Sequence, residues 1–439
     1  MADKPYLKRQ LDSYLIENVQ LWTQDGVISS ANVLIKDGKF QAAGASGVAA
    51  EGIEKINGRG FVLMPAGVDA QTHLRVPGQG HKETAQTGLT AALRGGYSAM
   101  LTMPNTKPTI DKVEVLKKAR EEVLPWEKET GVQVFWSAAI TKNLNSNDLV
   151  AFNELADSGV RAFTNDGLGV LSDQVMDQAF TELEKLDVPL LQHAEFLGHG
   201  GSLAPGPVQA RVKAKPYPDD PEWKMIERDL RELKKHPKAR YHVLHVSSRK
   251  SLDLIKKAKS EGLRVTAEVT PHHLWFTTET IDPDNMSFKM NPPIRTKEDQ
   301  LALWAALVNG DLDFVATDHA PHEDAVKEGT FDFVAFGTLG LETTLGVLIN
   351  AYREGVISAG RLVEVFATKP AEFLRLPPGF GSFVVGAPFH AVWVDPEVVP
   401  KPFRREQLSS LSKNSCFIGA KLPGRIMGAF HERVLYTFK

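Results

Sequence analysis

The feature that most constrains this chain is an alternation. Short apolar runs at residues 98–103, 132–136, 161–164, 188–192, 241–245, 264–269 and 313–317 have the length and composition of strands buried on both faces. Between them, residues 111–123, 173–186, 222–234, 248–261 and 297–308 place apolar side chains at helical spacing. Strands that alternate with helices argue for an α/β fold around a parallel sheet. With the strand that leads to Asp69 there are about eight units, which favours a closed (β/α)8 TIM-type barrel over an open sheet.

The two ends of the chain have a different character. Residues 15–22 and 31–35 read as strands, with a turn at Asp37-Gly38, and residues 391–394 and 433–438 are again β-rich. A small sheet domain assembled from both ends follows. The expected division is 1–62 for its N-terminal part, 63–380 for the barrel and 381–439 for its C-terminal part. Residues 195–221 and 291–296 read as loops at strand ends, and 323–336, with Gly329, as a loop able to move over the site.

A chain of 439 residues can hold one large barrel and one small domain. Lys and Arg total 51 against 54 Asp and Glu, a net charge of -3, so no broad basic field exists for nucleic acid or an anionic membrane. The expected partner is a small molecule. A single cysteine, Cys416, excludes an intramolecular disulfide and a thiolate-rich zinc site. Charged residues from Asp3 to Glu17 interrupt the first twenty positions, which read as neither signal peptide nor membrane span, and a cytoplasmic location is expected.

Barrel enzymes do their chemistry at the C-terminal ends of the strands. Here the first strand ends Asp69-Ala70-Gln71-Thr72-His73-Leu74-Arg75, and alternate residues place Asp69, Gln71 and His73 on one face. Later strands end at Asp166, His193, His245 and Asp318. Singly, each reads as easily as a capping or hydrogen-bonded residue. Ligand-type side chains at the ends of several separate strands converge instead on one divalent metal site, with imidazole and carboxylate donors suited to zinc.

At these residues the chain resembles the dihydroorotases, a family of cyclic amidohydrolases. The similarity runs through residues 69–75, Pro77-Gly78, His81-Lys82-Glu83-Thr84, Met103-Pro104-Asn105-Thr106 and residues 242–247. It continues through Thr270-Pro271-His272-His273, Asn291-Pro292-Pro293, residues 316–322, Gly340-Leu341-Glu342 and Ser412-Lys413-Asn414-Ser415, nearly the whole chain. The resemblance implies a barrel with a small β-sandwich formed by both chain ends. It also implies reversible hydrolysis of dihydroorotate to N-carbamoyl-L-aspartate in pyrimidine synthesis, by metal-activated water. By resemblance His73, Asp166, His193 and His245 are metal ligands, Asp318 is ligand and proton shuttle, and Arg75, Asn105 and His322 hold the substrate carboxylate. A homodimer, or an assembly with aspartate transcarbamoylase, is likewise implied. Related hydantoinases and allantoinases usually carry a metal-bridging lysine near the end of the fourth strand, and residues 158–166 contain none.

One position departs from the family. The first strand usually carries His-x-His, and here it reads Gln71-Thr72-His73. A neutral amide oxygen is a poor zinc ligand beside imidazole. The expectation is one well-held zinc at Asp166, His193 and His245, with the second ion weak or absent and activity reduced or lost. Two other readings follow: a non-catalytic dihydroorotase-like partner of aspartate transcarbamoylase, and a hydantoinase- or allantoinase-like cyclic amidohydrolase.

Overall fold

The computed structural model of the chain describes residues 4–48, 51–144, 147–196 and 200–439. Asp3, used in reading the N-terminus, and residues 197–199 of the expected 195–221 loop lie outside these. Eight strands pair in strict chain order: Gly67–Thr72, Tyr97–Thr102, Gln133–Ala138, Ala162–Thr164, Leu190–Gln192, Tyr241–Val243, Val265–Val269 and Phe314–Val315. All seven pairings are parallel. The ring closes between the first strand and the residues after the eighth, through a parallel bridge of Thr72 with His319. Closure is reinforced where Thr317 N and Oγ1 donate to Asp69 at 2.9 and 2.5 Å. Val68, Leu101, Ala162, Leu191, Leu244 and Phe314 pack in one cluster with Phe373. Side chains from opposite strands meet this way only in the interior of a closed barrel.

Helices follow the strands for reasons visible in the residues. Asp173–Leu186 buries Val175, Met176, Ala179, Phe180 and Leu183, one stripe of a 3.6-residue repeat. Its N-terminus is capped by Ser172, which accepts from Val175 N. Ser248 and Thr296 cap Arg249–Ser260 and Lys297–Asn309 in the same way. Each such cap is worth about 1 kcal/mol. The 195–221 segment is less irregular than the sequence suggests, because it contains the helix Pro207–Val212 and leads into Asp220–Leu233.

Both chain ends form one continuous nine-stranded sheet. Strand Val62–Pro65 lies between Ser13–Thr23 and His390–Asp395, so N- and C-terminal segments interleave. Tyr14, Phe40, Phe389 and Phe430 fill its core. A single residue, Ala66, separates this sheet from the first barrel strand. The barrel's first strand therefore starts from a fixed base. Among the described residues, no helix is long and apolar enough to cross a membrane.

Candidate metal centre

The candidate ligands and Asn105 lie just beyond the C-termini of their strands, whereas Asp69 and Gln71 lie inside the first, Gly67–Thr72. His73 follows the first, Asn105 the second, Asp166 the fourth, His193 the fifth, His245 the sixth and Asp318 the eighth. The fold converts this common position into contact. The Asp166 carboxylate divides its two oxygens: Oδ1 is 3.3 Å from His193 Nδ1 and 3.8 Å from His245 Nε2, and Oδ2 is 3.1 Å from His73 Nε2. His73 Nε2 is also 3.1 Å from Asp318 Oδ1. Two three-residue groups result, Asp166–His193–His245 and His73–Asp166–Asp318, each with its ligand atoms within 4.8 Å of one another and all buried.

Electrostatics bind the cluster together. Burial, and then Arg75, would depress His73, yet Asp166 and Asp318 override both and raise it to about 9. Burial likewise opposes protonation of His193, and Asp166 and Glu195 lift it to about 10. Asp166 itself, despite burial, is held far below the usual carboxylate range by His73, His193 and His245. Such a nest of imidazoles around one carboxylate is what a divalent ion replaces protons in.

Gln71 enters this cluster without completing it. Its Nε2 donates to Asp166 Oδ2 at 3.4 Å, and its buried Oε1 has no partner. An orphaned acceptor beside an imidazole–carboxylate set fits a cation neighbour, but as a neutral amide it is a weak one for zinc. Asp69, expected on the same face, is used otherwise. The register shifts between Asp69 and Thr72, and Asp69 accepts from Thr317, Thr72 and Gln71 N, locking the first strand to the eighth.

The backbone is strained where these residues sit. Arg75, His245 and Asp318 have φ values of 62°, 33° and 45°, in the left-handed region that side chains avoid. Conformations of this kind cost about 1–3 kcal/mol each and persist where the surroundings over-determine them.

Beside the metal groups stands a polar wall. Asn105 accepts from His73 Nδ1 at 2.9 Å and donates to Asp166 O at 3.3 Å, so its amide also orients two of the candidate ligands. Arg75 donates from Nε to Pro321 O at 3.3 Å and faces His322 Nε2 with its terminal nitrogen at 3.3 Å. Asn414 fastens this segment, accepting from His322 N and donating to Ala320 O and Gly337 O. His272 is buried with Nδ1 unpartnered, and burial holds it neutral.

Sequence reasoning missed Glu195. It stands two residues after His193 at the same strand end, and that i, i+2 spacing was the only signal. His193 Nε2 is 3.3 Å from Glu195 Oε2, which also accepts from Asn291 Nδ2 at 2.6 Å, while Tyr217 donates to Asn291 Oδ1 at 2.8 Å. Although burial opposes it, His193, Tyr217 and Asn291 pull the Glu195 carboxyl down to about 2, so it is an anion. A carboxylate behind an imidazole fixes the ring and turns Nδ1 toward Asp166. Glu195→Gln is expected to weaken zinc binding about 10- to 100-fold while leaving the melting temperature nearly unchanged, as a competitive chelator titration would read.

The comparisons with known proteins agree with this geometry. A family model described as Amidohydrolase family matches residues 62–426. A protein named dihydroorotase from Elusimicrobium minutum is 37% identical over 426 residues, covering 95% of this chain and 96% of that one. The dihydroorotase of Anaplasma phagocytophilum is 39% identical over 384 residues, covering 87% of this chain and 84% of its own. Among solved structures, L-hydantoinase (dihydropyrimidinase) from Arthrobacter aurescens superposes with a TM-score of 0.86 at 26% identity, over 97% of this chain and 96% of that one. Dihydropyrimidinase from Brevibacillus agri, at 22% identity and a TM-score of 0.79 over 96% and 94% of the two chains, shares the fold.

Proposed function

The chain belongs to the amidohydrolase family, in its dihydroorotase branch, and we propose that it hydrolyses dihydroorotate reversibly to N-carbamoyl-L-aspartate, the ring-closing reaction of pyrimidine synthesis run in either direction. The observation that carries this reading is the Asp166 carboxylate shared between two ligand groups, with the Asp318 carboxylate across from it and Arg75 close by. Asp166, His193 and His245 would hold a zinc-class ion firmly. The His73–Asp166–Asp318 group, given an amide at Gln71 where the family has imidazole, would hold a second ion weakly or not at all. When bound, an ion of this class polarises an amide carbonyl and makes a water acidic enough to attack it near neutral pH.

The chain's own residues supply the rest. Asp318 Oδ1, buried and 3.1 Å from His73 Nε2, is placed to accept the proton released as water adds to the carbonyl carbon. The same carboxyl then delivers that proton to the ring nitrogen as the C–N bond breaks. In the cyclising direction the order reverses. Arg75, Asn105 and His322 orient the substrate by its carboxylate, and a fixed attack geometry is worth several kcal/mol of barrier. Arg75 also favours this substrate over hydantoin, which carries no carboxylate for a guanidinium to pair with.

The test is hydrolysis of dihydroorotate by the purified, zinc-reconstituted chain, followed to near the uncatalysed rate and compared with hydantoin and allantoin. Clear turnover with dihydroorotate as the best of the three is expected. Folded, zinc-loaded protein without turnover would overturn the catalytic reading in favour of a non-catalytic partner of aspartate transcarbamoylase. Light scattering of the chain, alone and mixed with that transcarbamoylase, reads the assembly, homodimer or hetero-complex. Gln71→His is expected to raise bound zinc from about one to about two per chain and turnover roughly 10²-fold, the scale on which one stabilising group acts on a developing oxyanion.

A further inference from the structure

Lys82 lies in the connection after the first barrel strand and points at the same wall as Arg75. Its Nζ is 3.4 Å from His322 Nδ1, while Arg75 approaches His322 Nε2 at 3.3 Å. The imidazole is therefore sandwiched between an ammonium and a guanidinium. Burial first, and then Arg75 and Lys82, hold it neutral, with its pKa near 2. A neutral ring accepts at one nitrogen only, so at least one cation keeps donors in want of an acceptor.

No carboxylate answers them. Among the described residues, neither Arg75 nor Lys82 has an acidic oxygen within 4.0 Å. Glu323, which favours the charged form of Lys82, acts on it less than Arg75 does in opposition. Arg75 is only 6% exposed; it donates to the Pro321 carbonyl and feels Asp318, Asp166, Glu83 and Glu323 through space, but no carboxylate pairs with it directly, which is costly for a buried guanidinium. The arrangement is nonetheless built. Ser412 Oγ donates to Lys82 O at 2.6 Å, Leu411 N donates to Glu83 at 2.9 Å, and Asn414 Oδ1 accepts from His322 N at 3.0 Å. The tail segment 410–414 thus fastens the Lys82 side of the sandwich and the central His322 at once.

We propose that Lys82 is a second cation of the anion site, so that the substrate carboxylate is gripped between Arg75 and Lys82 with His322 as the spacer that sets their separation. This rests on the reading above that the substrate is a carboxylated cyclic amide, and it makes Lys82 a specificity-determining residue. Removing one charged partner of a carboxylate weakens binding by about 10- to 100-fold. Neither Nζ nor the guanidinium reaches the reacting amide through this contact, so the loss falls on binding.

The test uses the zinc-reconstituted full chain, with Lys82→Met and Lys82→Arg beside the parent. Orotate, the unsaturated and unreactive analogue, is titrated calorimetrically alongside uracil, which lacks the carboxylate. Lys82→Met is expected to weaken orotate about 10- to 100-fold and to raise KM for dihydroorotate similarly, with kcat within about threefold and uracil binding unchanged. Lys82→Arg restores most of the loss, which separates lost charge from lost fold. Equal orotate affinity in parent and Lys82→Met, or no orotate binding by the parent, overturns the proposal. Should orotate binding depend on Lys82 while dihydroorotate is not turned over, the anion site stands and the proposed reaction falls. Turnover with no dependence on Lys82 means the reverse.

Discussion

Replacing Asp166 by alanine is expected to lower dihydroorotate turnover by at least about 10³-fold and to leave the purified protein without bound zinc. No other side chain belongs to both ligand groups, so one substitution dismantles the pair. The effect is on chemistry and not on folding, because the turn that carries Asp166 is anchored by its neighbour. Asn165 Oδ1 accepts from Ile140 N at 3.0 Å and Thr141 N at 3.2 Å, and its Nδ2 donates to Thr141 Oγ1 at 2.7 Å. Removing the anion also takes away the chief support for protonated His73 and His193, and those rings lose charge together. Metal content by mass spectrometry, turnover and melting temperature are measured on one preparation. Zinc near one per chain with turnover within tenfold of the parent would show that the shared carboxylate is not the centre of the site.

The fold was legible because burial imposes periodicity. Helix Asp173–Leu186 has the bounds that its apolar stripe suggested, and Tyr241–Val243 lies inside the run read at 241–245. The last barrel strand, Phe314–Val315, is shorter than its apolar run at 313–317, yet Asp313 N and Ala316 N still donate to Ala267 O and Val269 O of the neighbouring strand. At its ends the polar groups take on other work: the Asp313 carboxylate accepts from Ala267 N and Lys259, and Thr317 donates to Asp69. Residues 323–336 read in the sequence as a loop able to move over the site, and the structure adds a buried lysine within it. Buried Lys327 donates to the carbonyls of Met286, Lys289 and Ala335, and no pattern around Asp324-Ala325-Val326-Lys327 announces a buried lysine. The candidate ligands could be found because strand ends converge in any closed barrel. Glu195 and Lys82 could not, since their meaning comes from Asn291 and His322, which lie 96 and 240 residues away.

Acid is expected to loosen the end sheet first, and the cause is a pair of buried histidines facing each other across two strands. His390 and His431 are register partners, with Nδ1 atoms 3.1 Å apart. Phe380 stacks on the His390 ring, and Tyr436 meets the edge of His431. Burial lowers His390 from 6.5 to about 4 and, with His390 adding to it, pushes His431 well below its ordinary value. The folded state therefore favours neutral rings. Their contribution is complete above the unfolded value near 6.5 and drains as pH falls from there toward 4 and below, by up to about 1.4 kcal/mol per pH unit for each ring. By pH 4.5 the pair together costs up to about 5 kcal/mol, comparable with the whole stability of a marginal domain. Buried carboxyls such as Glu268 and Glu342, raised by burial, act in the opposite sense, but they are the same in any variant of the pair and cancel in a comparison. In urea titrations at several pH values, His390→Gln/His431→Gln is expected to be less stable than the parent at pH 7.5. Its stability should also fall less steeply with acid, by about 2 kcal/mol per pH unit between pH 6 and 5. Parallel curves for the two proteins would place the acid sensitivity elsewhere, in His242, His272 and His273 of the barrel, which burial also holds neutral.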